Sequence, residues 1–148
     1  MRWHRHLVLL VLAVACSAHE TEYKVPAFAQ FRCPEGTRPD MRNVGGEIFR
    51  RCIDGGGILE GPFVSWDRRT RVISMKGTYR HGKLSGLTTT YHSNGKKMSE
   101  STYVDGVQDG ESRIWDEHGN LKIIQTYDAK LGGKLVDEKD FPAPGRDP

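Results

Sequence analysis

The sequence predicts an all-β protein assembled from repeated β-hairpins. A glycine recurs at intervals of 25 and 24 residues, at Gly61, Gly86 and Gly110. An aromatic residue follows each of these glycines by five positions, at Trp66, Tyr91 and Trp115. A second aromatic position recurs every 24 residues, at Tyr79, Tyr103 and Tyr127. Because these spacings persist from copy to copy, we interpret the glycines and aromatics as parts of a repeating scaffold and not of a catalytic loop.

Each copy divides into two predicted strands. Its first half, such as "GLTTTYH" at residues 86–92, is rich in the threonine and aromatic residues that favour strands. A turn signal such as "SNG" follows, then a second β-rich half such as "LKIIQTY". Hairpin turns require a positive φ that glycine adopts at little cost, which explains Gly82, Gly95, Gly106 and Gly119. The first copy differs, because "DRRT" with Thr70 replaces "SNG" and one residue is inserted before Tyr79.

These residues carry a resemblance to a known family. The pattern Y-x-x-G-x-x-x-G-x-x-x-x-[WY]-x-x-x-G begins at Tyr79 and again at Tyr103. It resembles the MORN-variant repeats of YwqK-type proteins and of many bacterial exported lipoproteins. The resemblance implies an elongated antiparallel meander of hairpins in a single sheet, whose repeated residues are structural. The preceding "CPEGT…RRCIDGGG" at residues 33–57 looks like the Cys-bearing entry module of exported forms.

The N-terminus reads as an export signal. Arg2 and Arg5 precede "LVLLVLAVA" at residues 7–15, a stretch without a polar side chain. A basic region followed by an apolar run of this length is typical of a secretory signal peptide. The run is too short to cross a bilayer as a helix, which needs about 20 apolar residues.

The segment that follows resembles a lipobox. In "LAVACS", residues 12–17, two small residues precede Cys16. The resemblance implies that Cys16 becomes the first mature residue and is acylated, and several acyl chains anchor a protein stably. Ser17 resembles the signal for sorting to the outer membrane. Plain secretion into the periplasm or medium, with cleavage after Ala15 or Ala18, remains an alternative.

The two remaining cysteines, Cys33 and Cys52, are expected to pair in an oxidising compartment. Their spacing does not match a metal site, and two free buried thiols are the alternative. A bridge closing a loop of about 20 residues restricts the unfolded chain by about 3 kcal/mol. We expect the bridge to fold the entry segment over the open edge of the first repeat.

These features predict five segments. They are a signal peptide (1–15), the lipidated Cys16 with a tether (16–30), an entry or cap module (31–59), the repeat array (60–140) and a disordered tail (141–148). The array contains units at about 60–83, 84–107 and 108–131, followed by a terminal strand. In that strand Glu138 stands where an aromatic is expected, and charges on an edge strand oppose pairing with another molecule.

Composition and motifs argue against several functions. After Arg2 and Arg5 are removed from 22 basic residues, residues 16–148 carry 20 basic and 19 acidic side chains, so nucleic acid is not expected as a partner. No nucleophile motif is present, and His81, His92 and His118 occupy different places in their units, as solvated turn residues would. We therefore expect no catalytic residues, no metal and no cofactor.

The aromatics Trp66, Tyr91 and Trp115 allow two readings. They pack across strands, or they form an exposed stacking surface for a glycan or a partner protein, and both can hold. We expect a non-enzymatic, lipid-anchored envelope protein whose repeats bind protein or polysaccharide. The alternatives are an antitoxin or immunity-like protein that neutralises a toxin, as the YwqK resemblance implies, and a plain secreted structural repeat protein.

Overall fold

The computed structural model describes residues 31–142, which form one open antiparallel β-sheet with a meander order. The all-β fold predicted from the repeats is confirmed. The predicted signal peptide, Cys16, the tether and most of the predicted tail lie outside the described residues. Within residues 31–142 no helix is long and apolar enough to cross a membrane.

The sheet has ten strands that follow one another in chain order. They are β1 (Arg38–Val44), β2 (Glu47–Ile53), β3 (Leu59–Asp67), β4 (Ile73–Arg80), β5 (Lys83–Leu84), β6 (Gly86–Tyr91), β7 (Lys97–Val104), β8 (Val107–Trp115), β9 (Leu121–Asp128) and β10 (Lys134–Asp140). The two-residue strand β5 pairs only with β4, and a 3-10 turn at Ala129–Leu131 joins β9 to β10. The edges of the sheet are β1 and β10, and β10 is exposed throughout.

The recurring glycines Gly61, Gly86 and Gly110 lie within the sheet and not in the hairpin turns. Each pairs with the tyrosine of its own unit, as Gly110 does with Tyr127. At each glycine the pairing with the preceding strand is irregular. Around Gly110, for example, Ser101 pairs with Ser112 and Tyr103 pairs with Gln108, so the three β8 residues between these pairs lie opposite Thr102 alone. All three glycines have positive φ, 99°, 79° and 75°. The glycine therefore allows the same bulge in every repeat.

The turn glycines have the conformation expected of them. Two-residue turns at 80–83 and 104–107 carry positive φ at both central residues, 49° and 80° for His81 and Gly82, and 48° and 84° for Asp105 and Gly106. These are type I′ turns, whose twist matches that of the flanking strands. At the other sheet margin, Gly95 and Gly119 have φ of 81° and 92°.

In the irregular first copy, Arg71 takes the place of the turn glycine. Its φ is 62°, and its N–H donates to Asp67 O at 2.8 Å. Gly95 N and Gly119 N make the corresponding bonds to His92 O and Asp116 O, both at 2.9 Å. Arg71, and not Thr70, is thus the structural counterpart of these glycines, because the inserted residue lies in the turn.

The predicted disulfide between Cys33 and Cys52 is present. The entry module covers the open edge of the first repeat by strand pairing, since β2 pairs with β3, and the bridge ties the segment before β1 to the end of β2. Pro34 lies so close to Gly61 that a Cβ there would come within 2.6 Å of its Cδ. Cys52 and Ile53 are 1% and 5% exposed, and with Phe63 and Val64 they form the buried apolar core. The core therefore lies at the bridged end of the sheet.

Beyond that core, small hydroxyl residues line one face of the sheet. Thr88 pairs with Ser101 and Ser101 with Ser112, and all three are buried. The hydroxyls of Ser101 and Ser112 bond to each other at 2.7 Å, as do those of Thr90 and Ser99. Part of this face is thus covered by small polar residues. The two bonded pairs satisfy hydroxyl groups that would be costly to bury without a partner.

The first test concerns the bridge. Replacing both Cys33 and Cys52 with Ser is expected to lower the free energy of unfolding by about 3 kcal/mol, because the open chain gains conformational freedom. Thermal unfolding of the parent with and without reductant is the matched control, since reduction cuts the same bond without mutation. Equal midpoints for parent, reduced parent and double variant, or free thiols at both positions in envelope material, would contradict this.

The second test concerns the bulge. A Cβ at Gly110 would meet nothing within 4 Å, so Gly110→Val adds backbone strain without a clash. We expect a loss of about 1–2 kcal/mol of stability, the cost of a left-handed backbone for a residue with a side chain. Gly55→Val is the control, because Gly55 also has open space but no positive φ. Equal effects of the two substitutions in denaturant titrations would refute the role of φ.

Candidate binding surface

Trp66, Tyr91 and Trp115 form one column on one face of the sheet. They lie at or near the ends of β3, β6 and β8, where they pair with Ile73, Lys97 and Leu121. These strands alternate with β4, β7 and β9, so neighbouring members are separated by two strand spacings, about 9.5 Å. All three side chains are half-buried. We call these three residues the aromatic column, and the face that carries them the column face.

Two lysines lie over rings of the column. Lys76 Nζ is 5.5 Å from the Tyr91 ring centroid, and Lys97 Nζ is 5.5 Å from that of Trp115. Lys97 also forms an ion pair with Glu100 at 2.8 Å. Cation–π contacts at exposed sites contribute about 0.5–1 kcal/mol each. Neither lysine was predicted from the sequence, because the two do not occupy equivalent places in the repeats.

A concavity of about 430 Å³ adjoins the last member of the column. It combines one aromatic wall with basic side chains and a turn glycine: Lys96, Lys97, Trp115, His118 and Gly119. A flat apolar surface beside positive charge suits a ligand that presents a ring face or apolar group together with acidic or hydrogen-bond-accepting groups.

The turns beside the column are held by aspartates that directly follow the tryptophans. Asp67 accepts bonds from Arg69 N at 2.9 Å and Thr70 N at 2.7 Å. Asp116 accepts from His118 N and Asn120 N, both at 2.9 Å. The bonds from Thr70 lower the pKa of Asp67, and those from the Asn120 side chain and backbone lower the pKa of Asp116. Both aspartates thus rigidify the turns as ionised carboxylates.

The second and third repeats are joined by side chains that donate to main-chain carbonyls. Asn94 Nδ2 bonds Glu117 O at 2.8 Å, and Lys96 Nζ bonds His118 O at 2.9 Å. His92 Nε2 lies 2.9 Å from Trp115 O. His92 is half-buried and therefore is not the solvated turn residue we expected, whereas His81 and His118 are exposed. We call these three bonds between the second and third repeats the seam, and the seam fixes the position of Trp115 relative to the second repeat.

The recurring tyrosines lie on the face opposite the column. Tyr79 packs against Phe63 with 4.7 Å between ring centroids and 44° between ring planes, and the Tyr127 hydroxyl donates to Gln125 Oε1 at 2.9 Å. The two aromatic positions of each repeat therefore serve different faces. In the part of the chain that the structure describes, His, Cys, Asp and Glu side chains nowhere gather in a group of three that could hold a metal ion.

A family model described as "MORN repeat variant" matches residues 84–105 and 108–129. The chain thus carries two adjacent MORN-variant repeats, which confirms this part of the resemblance. The matched segments do not include 60–83, although that copy has the same glycine bulge, column aromatic and tyrosine. No curated protein matches the chain in sequence.

Several solved structures are similar to this chain at a low level. A Staphylococcus aureus TarM mutant in complex with Fondaparinux, alpha-GlcNAc-glycerol and UDP is 16% identical, with a TM-score of 0.41 over 72% of this chain and 20% of that one. The Glycosylation Associate Protein complex from Streptococcus agalactiae is 13% identical, with a TM-score of 0.41 and coverage of 72% and 20%. Accessory secretory protein 1, 2 and 3 from Streptococcus pneumoniae is 14% identical, with a TM-score of 0.38 over 76% of this chain and 21% of that one. The chain spans about a fifth of each.

Proposed function

We propose that the protein is a non-enzymatic envelope module, lipid-anchored through Cys16, that binds a protein or polysaccharide partner through its column face. The observation that carries this proposal is the alignment of three half-buried aromatic rings on one face, with a concavity beside the last of them. Rigid aromatic side chains give a large contact area at little entropic cost, which makes them favourable contact residues.

The architecture supports binding because the rings are held at fixed intervals. Two strand spacings separate neighbouring rings, and the hydrogen-bonded sheet resists changes in that interval. The side chains of His92, Asn94 and Lys96 donate hydrogen bonds to main-chain carbonyls of the third repeat. These bonds hold together the two turns that follow Tyr91 and Trp115. A partner with a repeating chemical structure, such as a polysaccharide, would meet a surface that repeats as well.

The lysines add polarity to this surface. Lys76 and Lys97 lie over the rings of Tyr91 and Trp115, so an approaching ligand meets an ammonium group next to each ring. Since cation–π contacts at exposed sites are weak, these flexible side chains can move aside for a ligand that stacks on the ring. The same contacts support the packing role of the column, and the two roles are compatible.

Trp115→Ala is expected to reduce partner capture by about tenfold or more, as loss of an anchoring aromatic contact does. The measurement is capture by the tagged full chain from crosslinked envelopes, with partners identified by mass spectrometry and thermal unfolding recorded in parallel. Tyr103→Ala is the matched control, because it removes an aromatic ring from the opposite face of the same sheet. We expect Tyr103→Ala to retain capture in its folded fraction.

Two outcomes would count against binding through the column. If both variants lose capture only in proportion to their loss of folded protein, the column serves packing alone. If the captured partner is a secreted toxin effector, the immunity-like alternative replaces the envelope module. Capture of a cell-wall or outer-membrane component that depends on Trp115 supports the proposal.

Cys16→Ala is expected to release the protein into soluble fractions or to block removal of the leader, because the acyl chains that hold it in the membrane are lost. Fractionation and fatty-acid labelling of the parent and the variant make the measurement, and Ser17→Ala, which retains the cysteine, is the control. Unchanged membrane association of Cys16→Ala, together with an unlabelled parent, would reject the lipid anchor and favour plain secretion.

A further inference from the structure

A second concave site lies on the opposite face, at the bridged end of the sheet. It has a volume of about 450 Å³ and combines aromatic and aliphatic walls with two arginines: Arg42, Val44, Phe49, Arg51, Phe63 and Tyr79. The strand register brings them together, because Arg42 pairs with Phe49 and Arg51 with Phe63. The proposed function of the column face makes no use of this site.

The aromatic wall of the site is built into the sheet. Phe63 is 3% exposed and its ring contacts Tyr79, with centroids 4.7 Å apart. The ring also lies over Gly77, where a Cβ would come within 2.9 Å of Phe63 Cε1. Because Phe63 pairs with a residue that has no side chain, its ring fills the space above Gly77 and forms the buried floor of the site, while Phe49 and Tyr79 are half-buried.

The charges of the site do not balance. Asp40 Oδ2 accepts bonds from Arg42 Nε at 3.1 Å and from Arg51 Nε at 2.9 Å, so one carboxylate faces two guanidinium groups. The bond from Arg51, followed by those of Arg42, lowers the pKa of Asp40, which is therefore ionised at neutral pH. Both contacts with Asp40 use Nε, and between described residues no hydrogen bond engages the terminal amino groups of either arginine. One positive charge and several oriented donors thus remain for an anion.

We propose that this site binds the C-terminal residue of a partner polypeptide, with its carboxylate on Arg42 and Arg51 and an apolar side chain against the half-buried rings of Phe49 and Tyr79. Guanidinium groups bind carboxylates through paired, charge-assisted hydrogen bonds. Adjacent strands lie about 4.8 Å apart, and Arg42 on β1 pairs directly with Phe49 on β2, which matches the short separation between the carboxylate and the side chain of one amino acid. Apart from the arginines, the only polar group of the lining side chains is the Tyr79 hydroxyl, which disfavours a sugar with its many hydroxyls.

The test uses fluorescence anisotropy of a labelled peptide that ends in Leu-Phe, titrated with the full chain in detergent micelles. The peptide with a free carboxylate is expected to bind about tenfold more tightly than its C-terminal amide, which follows from the loss of a hydrogen bond to a charged group. Arg42→Gln is expected to remove this difference. Arg38→Gln is the matched control, because it removes the same charge from the same strand but does not line the site.

Asp40→Asn is expected to change the affinity for the free-acid peptide in the opposite direction to Arg42→Gln. It removes the carboxylate that competes for the two guanidinium groups, so binding of the free-acid peptide is expected to strengthen while binding of the amide stays unchanged. Since the Arg42 side chain is 61% exposed, Arg42→Gln is expected to unfold at the same temperature as Arg38→Gln. Equal affinities of acid and amide, or an equal loss of acid binding in Arg38→Gln, would overturn the proposal. So would N-acetyl-phenylalanine binding as tightly as the peptide, since the site would then serve a small acid.

Discussion

One left-handed backbone position in each repeat determines how the sheet is built. At Gly61, Gly86 and Gly110 the chain has positive φ, and the strand bulges relative to the preceding strand while it pairs regularly with the tyrosine ahead of it. A bulge bends a strand and increases its local twist. Because the same distortion recurs at the same place, successive hairpins stack in equivalent positions, and both aromatic positions return to the same faces. The aromatic column, the opposite tyrosines and the turns all depend on this recurrence.

Residues 31–142 form a single sheet without a second layer, so different parts of the sheet are stabilised by different contacts. At one end the disulfide, Pro34 and the buried Phe63 and Val64 provide an apolar core. Farther along, Ser101 and Ser112 bond to each other instead. Thr88 is an exception, because its buried hydroxyl has no hydrogen-bond partner among the described residues. Stability is therefore concentrated at the bridged end, and the far edge strand β10 relies on main-chain pairing and on contacts such as Gln125 Nε2 to Glu138 Oε2 at 2.6 Å.

The repeats allowed the fold to be predicted well, and the site only in part. Periodic glycines and aromatics revealed hairpins in chain order, because each unit closes locally through turns with their own sequence signals. The assignment of Gly110 to a bulge and of Arg71 to a left-handed turn position was not available from sequence, because both depend on pairing register. Lys76 and Lys97 were missed for a similar reason, since they reach the rings from neighbouring strands without a repeated position. Arg42, Arg51 and Phe63 come from different strands that only the folded sheet brings together.

The seam between the second and third repeats has a consequence for the gene. Its donors are the side chains of His92, Asn94 and Lys96, while its acceptors are the carbonyls of Trp115, Glu117 and His118. Every amino acid supplies such a carbonyl, so the seam places little demand on the side chains of the unit that follows. An in-frame duplication of the second unit, which carries the three donors, would therefore create a new junction that repeats the existing one. Each such copy would extend the row of rings by one position.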